Sequence, residues 1–236
     1  MSKKRIVLGG IRGKMGSFLL PGFQVHPDLE IVAGLGEMAD LAFEIPVYSD
    51  VEELYDEVEF DLYVDFTIYE FSLNTCKWML EKKIPIVVGT TGFKSRDIED
   101  LQDISRKHGV GGIIAPNFAI GVVLLHQFSK MATKYFNHFA LYEYHHLSKH
   151  DNPSGTALYL SDAIKEAQCV EHVNVHGFRL PGVLATHTVI ISDESQKLEL
   201  THQSNNRYSF EVGVLLAIDK ISELDHLVYG LEHILI

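Results

Sequence analysis

Arg5-Ile6-Val7-Leu8-Gly9-Gly10-Ile11-Arg12-Gly13-Lys14-Met15-Gly16 is the stretch that decides the fold of this chain. A short apolar, β-branched run ends in glycines and passes directly into a helical pattern, Met15–Val25. Glycines there permit a tight turn and let the backbone approach a pyrophosphate. The helix that follows offers free N–H groups and the positive end of its dipole. The spacing Gly10, Gly13, Gly16 departs from the common G-x-G-x-x-G, because Arg12 stands where the second glycine would be. Its place after a first strand favours a nucleotide site over a purely structural turn.

Outward from that turn the first half alternates. Glu30–Leu35, Leu62–Phe66, Ile84–Val88 and Gly112–Ala115 read as buried strands, and Val51–Glu57, Phe71–Lys82 and Ser95–His108 as the helices between them. That alternation predicts an α/β fold, a parallel sheet covered on both faces. Two loops, Gly89-Thr90-Thr91-Gly92-Phe93 and Ala115-Pro116-Asn117-Phe118, fall beyond strand C-termini, where such a sheet holds its ligand. Their hydroxyls and amides suit a nicotinamide carboxamide, and ordinary βα turns use the same residues. An acid at the end of the second strand accepts ribose hydroxyls; Glu37 is the nearest here. Arg12 and Lys14 either meet a 2′-phosphate or are simply solvated, so the choice between NADH and NADPH stays open.

Beyond Asn117 the pattern changes. A helix over Ile120–Tyr135 precedes a strand, Phe139–His146, and a second helix, Thr156–Gln168. Extended segments follow at Asn174–Arg179, His187–Ser192, Lys197–Gln203 and Tyr208–Val212, with alternation that predicts a sheet covered on one face. Val214–Lys220 and Glu223–Leu235 return to helical pattern. Residues 120–206 therefore read as a domain inserted into one built from 1–119 and 207–236.

The inserted part carries the densest chemistry, Glu143-Tyr144-His145-His146-Leu147-Ser148-Lys149-His150-Asp151-Asn152-Pro153-Ser154-Gly155-Thr156. On a strand, His145 and His146 point to opposite faces. Asn152 is expected as the helix N-cap with Pro153 at the first helical position, leaving Ser154, Gly155 and Thr156 to present unpartnered N–H groups. That arrangement suits a carboxylate, with His146 and Lys149 as added cationic donors.

A count of 32 Asp+Glu against 20 Lys+Arg gives a net charge of −12, which argues against nucleic acid or an anionic membrane as partner. Cys76 and Cys169 are too few for a disulfide scaffold and show no metal-ligand spacing. No H-E-x-x-H is present, and Lys149 opposes a cation beside the histidines, so no metal is expected. The basic start at Met1–Arg5 leads into an apolar run too short for a signal peptide, and a cytoplasmic protein is expected.

Taken in order, these motifs resemble the dihydrodipicolinate reductase family over nearly the whole chain. The likeness rests on G-x-x-G-x-M-G at Gly10–Gly16, Val64-Asp65-Phe66-Thr67, Val88–Phe93 and Ala115–Phe118. It continues through His145-His146-x-x-Lys149-x-Asp151-x-Pro153-Ser154-Gly155-Thr156-Ala157, Arg179–Gly182, His187, His202, Arg207 and Val228–His233. The resemblance implies a Rossmann-like doubly wound parallel sheet with an inserted α/β substrate-binding and oligomerisation domain, in a homotetramer. It implies reduction of 4-hydroxy-tetrahydrodipicolinate by NADH or NADPH, with loss of water, in diaminopimelate and lysine biosynthesis. His145 would exchange the proton and Lys149 would be a second donor. His146, Gly155, Thr156 and Thr91 would bind the dicarboxylate. Gly10, Ile11, Arg12, Gly13, Lys14, Met15, Glu37, Gly89, Thr90, Thr91, Ala115, Pro116, Asn117 and Phe118 would hold the cofactor. The family's usual acid near Gly36 is missing, with Glu37 the nearest substitute, and the stretch between Ala163 and Arg179 is short. Another two-domain oxidoreductase of an amino-acid-derived acid would lack the His145–Ala157 order. A nucleotide-sensing relative without turnover would not need the His145–Lys149 pair.

Overall fold

The computed structural model of the chain describes residues 3–37 and 44–235; Met1, Ser2 and Ile236, inside the expected basic start and domain bounds, lie outside them. In chain order the elements begin with β1 (Lys4–Gly9), α1 (Gly16–Val25), β2 (Leu29–Leu35), β3 (Val47–Tyr48), α2 (Val51–Glu57), β4 (Leu62–Asp65), α3 (Tyr69–Glu81), β5 (Ile86–Val88), α4 (Ser95–His108) and β6 (Gly112–Ile114). Then come α5 (Ile120–Ala132), β7 (His138–His145), α6 (Gly155–Gln168), β8 (Asn174–Arg179), β9 (Ala185–Ser192), β10 (Lys197–Ser204), α7 (Tyr208–Lys220) and β11 (Leu227–Tyr229). Two compact units result, residues up to Pro116 together with Val214–Ile236, and Asn117–Gly213.

In the first unit the described strands form a seven-stranded sheet in the order β11-β6-β5-β4-β1-β2-β3, every neighbour parallel. Order runs outward both ways from β1 and β4, so the sheet is doubly wound and its switch point lies between those strands. Fully buried Ile6, Val7, Leu8, Leu62, Tyr63 and Val64 fill this centre, which explains the near-continuous apolar strands. Local caps mark the helices: the Asp50 carboxylate accepts from Glu52 and Glu53 N–H at 2.8 and 2.9 Å, and α4 ends at Gly109 in the left-handed conformation.

In the second unit a four-stranded mixed sheet runs β10-β9-β7-β8, with β7 and β8 parallel and β9 antiparallel to β7 and β10. Leu125 and Ala132 of α5 and Leu160 and Ile164 of α6 pack with Leu141, Val189 and Ile191 to make its core.

Two expected segments differ. Tyr208–Val212 is the first turns of α7, not a strand. The apolar alternation there buries little, since Tyr208 is 62% and Val212 56% exposed, whereas Val214, Ala217, Ile218 and Ile221 lie on one buried helical stripe. Glu223–Leu235 is not one helix: β11 pairs with β6 at the sheet edge, between 3-10 turns at Ile221–Glu223 and Leu231–Ile234. Edge pairing outweighs local propensity here. Leu227 N–H donates to Ser105 Oγ at 2.6 Å and Gly230 N–H to the Ile114 carbonyl at 2.8 Å.

Candidate active site

In the first unit the turn after β1 meets the loop after β4. Gly10 has φ +71°, and a Cβ there would collide with the Phe66 carbonyl, so only glycine fits this close crossing. Gly13 N–H donates to the Gly10 carbonyl at 2.7 Å and closes the turn. Beside it lies a cleft of about 470 Å³ lined by Gly10, Ile11, Arg12, Gly13, Leu35, Gly36, Glu37, Val47, Ser49, Thr67, Ile68 and Phe71. Five sequence-selected residues meet there: Gly10, Ile11, Arg12, Gly13 and Glu37. Lys14 is exposed, Met15 is the N-cap of α1, and Gly89, Thr90, Thr91, Ala115 and Pro116 stand outside this cleft's lining. Gly36, at φ +148°, has a backbone that side chains rarely adopt, and among the described residues the acid lining this wall is Glu37.

Asp65 organises the neighbouring loops, a role the sequence reading missed. It is fully buried at the end of β4. Its Oδ1 accepts from Thr67 N–H at 3.0 Å and Tyr63 OH at 3.2 Å; its Oδ2 accepts from Thr90 Oγ1 at 3.3 Å and from the Ser72 hydroxyl. Burial raises its pKa, while these hydrogen bonds pull the other way. A cleft-lining residue, Thr67, and a selected one, Thr90, are thus held by one carboxylate. A buried acid at a strand end, followed by hydroxyl residues, was the available signal.

In the second unit β7 ends at His145, with its side chain buried, and His146 begins the loop, its Nδ1 2.8 Å from Ser148 Oγ. Around His145 stand three residues to which the sequence reading gave no role. Glu143 Oε2 is 3.5 Å from His145 Nδ1 and 3.4 Å from His187 Nε2, and Glu143 Oε1 is 3.3 Å from Arg179 Nη2. Burial alone would raise the Glu143 pKa, but hydrogen bonds from His187 and Ser154 and the charge of His145 outweigh it and bring it to about 2. His145 is lowered to about 4, by burial first, with Glu143 opposing and His187, Arg179 and Lys149 adding to the drop. Period-2 alternation explains the grouping: Glu143, His145, Arg179 and His187 are polar residues at positions whose side chains face α5 and α6.

The cap of α6 differs from expectation. Ser154, not Asn152, is the N-cap: its backbone is extended and its Oγ accepts from Ala157 N–H at 3.1 Å. Asn152 is turned toward Gly177, where a Cβ would collide with its Oδ1, and Pro153 precedes the helix. Ser154 N–H is taken by Glu143 Oε1 at 2.9 Å, and, after Lys149, the Gly155 N–H, on an exposed residue, helps hold the Asp151 carboxyl below its ordinary pKa. Nothing lies within 4 Å of a Cβ built on Gly155. Thr156 Oγ1 accepts from Asn117 Nδ2 at 3.2 Å. Lys149 Nζ is 2.8 Å from Asp151 Oδ1, and the Lys149 carbonyl accepts from Arg179 Nε at 3.1 Å.

Glu143, His145 and His187 offer three ligand atoms within 4.8 Å of one another. The Ser154 hydroxyl and the Arg179 guanidinium already meet the two carboxylate oxygens. A second cation there would face Arg179 directly, so this donor set suits a hydrogen-bonded network better than an ion.

Family models described as "Dihydrodipicolinate reductase, N-terminus" and "Dihydrodipicolinate reductase, C-terminus" match residues 4–118 and 121–235. The chain belongs to the dihydrodipicolinate reductase family. Among relatives, the 4-hydroxy-tetrahydrodipicolinate reductase of Lactococcus lactis subsp. cremoris (strain SK11) is 38% identical, over 100% of this chain and 98% of that protein. The protein of the same name from Bacillus cytotoxicus is 36% identical, with both chains covered 100%. A solved dihydrodipicolinate reductase from Paenisporosarcina sp. TG-14, bound to dipicolinate, superposes with TM-score 0.89 at 31% identity, covering 99% of this chain and 100% of that one. GenD2 from gentamicin A biosynthesis, at 11% identity and TM-score 0.69, shares the fold alone. No helix among the described residues is long and apolar enough to cross a membrane.

Proposed function

We propose that the chain reduces 4-hydroxy-tetrahydrodipicolinate to tetrahydrodipicolinate with a pyridine nucleotide, in diaminopimelate and lysine biosynthesis. It is an oxidoreductase of that family. The observation that carries the reading is the constellation in the second unit: a buried His145, a nearby Lys149, and a helix start with side-chain space at Gly155, all on one segment.

In this reading the residues lining the cleft beside Gly10–Gly13 would hold the nucleotide, the positive end of the α1 dipole favouring a pyrophosphate. Gly89–Thr91 would meet the nicotinamide. Glu37 suits the ribose hydroxyls and Arg12 a 2′-phosphate, so the reductant in this reading is NADH or NADPH. The cofactor supplies the hydride. It goes to substrate C4, made electrophilic once the ring has lost its hydroxyl as water. The enamine that results takes a proton at the adjacent carbon.

His146, Gly155 and Thr156 bind the carboxylates of the substrate, and His145 and Lys149 exchange the proton. With its pKa near 4, His145 is neutral at pH 7 in the unliganded protein. A dianionic substrate beside it favours the charged form and moves the pKa toward the working range. Such proton transfer contributes about 10²–10⁴-fold. The exposed aromatic side of the second sheet supports self-association as a homotetramer: Tyr144 stacks on Phe178 at 5.2 Å, and Phe178 is 47% exposed.

A coupled assay tests the proposal. Dihydrodipicolinate synthase generates the substrate in situ, and oxidation of NADH and of NADPH is followed separately. Synthase-dependent oxidation of either is expected; none with both cofactors refutes it.

A further inference from the structure

Glu143 sits at the centre of the second unit's helix-facing sheet surface, and neither the hydride step nor the proton step uses it. Its carboxylate is fully buried, which is unfavourable unless every lone pair finds a partner. The sheet register supplies them. Gly177, Glu143, His187 and His202 are successive cross-strand partners across β8, β7, β9 and β10. Arg179 and His145 pair in the next row. Gly177 leaves room for this, since a Cβ there would stand 3.1 Å from Glu143 Oε1. From the other side the start of α6 donates twice, through Ser154 N–H at 2.9 Å and the Ser154 hydroxyl.

We propose that Glu143 is a positioning residue for the reductase reaction: its carboxylate holds His145 in the Nδ1–H form, leaving Nε2 to exchange the proton, and ties that imidazole to the carboxylate-binding start of α6 through Ser154. This rests on the reading of His145 as the proton carrier. A bare Nδ1 lone pair 3.5 Å from a buried carboxylate is repelled, whereas an N–H there is attracted. His145 Nδ1 has no hydrogen-bond acceptor within normal reach among the described residues, so the charge of Glu143 decides the tautomer. When His145 acts, the Nε2–H bond breaks, the enamine's electron pair forms the new C–H bond, and the neutral ring keeps its proton on Nδ1. Because Ser154 also caps α6 through Ala157 N–H, the carboxylate that orients the proton carrier also fixes the helix start that faces the substrate.

The charged and titratable groups facing His145 are Glu143 on its own strand, Arg179 from β8, His187 from β9 and Lys149 from the following loop. Of these, Glu143 is the one that favours protonation. In Glu143→Gln the side-chain shape and one oxygen acceptor remain but the charge is gone. The alkaline limb of kcat, where His145 loses its proton, should then move at least about one pH unit lower. Glu143→Asp, which restores the charge, should move the limb back. An unmoved limb with lowered kcat would mean that Glu143 only supports the fold, and overturns the proposal.

If Glu143→Gln fails to fold, ¹⁵N-histidine NMR of the unliganded wild-type chain decides, with His145 assigned from His145→Gln. Signals of the Nδ1–H tautomer are expected, and the Nε2–H tautomer overturns the proposal. Wild-type inactivity in the coupled assay would refute the reductase reading separately, because the tautomer is read without turnover.

Discussion

Replacing Asp65 by alanine or by asparagine separates two roles of a buried carboxylate. In Asp65→Ala the fully buried Tyr63 hydroxyl and the Thr67 N–H lose the oxygen that accepts from both. Each donor left unpaired costs about 1–3 kcal/mol, so the two together should cost roughly 2–6 kcal/mol. Asparagine keeps Oδ1 for those two donors. Its amide then faces the Ser72 and Thr90 hydroxyls, which can turn to accept instead. It also removes a charge that burial disfavours. The sign follows from the raised pKa: stability from this group is full below the ordinary carboxylate range and is lost as pH rises through the folded value. At neutral pH the Asn variant therefore escapes a cost that the wild type bears, and should stay within about 1 kcal/mol of it. Urea unfolding followed by fluorescence of Trp78, the single tryptophan and a residue of the same unit, reads both values. Since Thr67 lines the cleft, NADH affinity should fall in Asp65→Ala and hold in Asp65→Asn. Equal losses in the two variants would mean that the network needs the charge itself, and a loss under about 1 kcal/mol in Asp65→Ala would refute the accounting.

Other expectations concern the second unit and the cleft. His145 at about 4 and Glu143 at about 2 both bind protons less readily folded than unfolded, so stability is present at neutral pH and falls with acidification. The first loss runs from about pH 6.5 to 4 and amounts to roughly 3 kcal/mol, and the second follows below about pH 4.5. Amide hydrogen exchange in β7 and β9 should record it, and His145→Gln should abolish the first window. His145→Ala and Lys149→Ala should each cut turnover by about 10²-fold or more while nucleotide affinity stays nearly constant; unaltered rates in both would remove them from the chemistry. Glu37→Ala should weaken NADH about tenfold relative to NADPH, measured as a ratio of dissociation constants, and an unchanged ratio would exclude Glu37 from ribose recognition.

The first sheet was legible because burial on both faces writes itself as apolar runs between glycine and helix-cap signals, as at Arg5–Gly9 and Ile84–Val88. Ser95–His108 was read to the residue, because its polar face and Gly109 mark both face and end. Tyr208–Val212 was misread because its large residues at alternate positions mimic a strand; only the buried stripe from Val214 to Ile221 reveals the helix. At Asn152, two capping residues stood two apart in sequence. Contacts with Gly177 and Glu143, both distant in the chain, chose Ser154.

By itself the sequence determined the parallel α/β framework, the glycine turn after β1, and the segment holding His145, Lys149, Gly155 and Thr156. These are local properties: periodicity, turn chemistry and spacing act over a few residues. Only the tertiary structure decided what surrounds them. Asp65 gathering two loops, and Glu143 drawing His145, His187, Arg179 and Ser154 together, depend on strand pairing, which sets Asp65 beside Gly9, 56 positions away, and Glu143 beside His187, 44 positions away. A carboxylate in the sequence is one acid among 32. Burial beside donors from three other segments is what turns Glu143 into the support of the histidine.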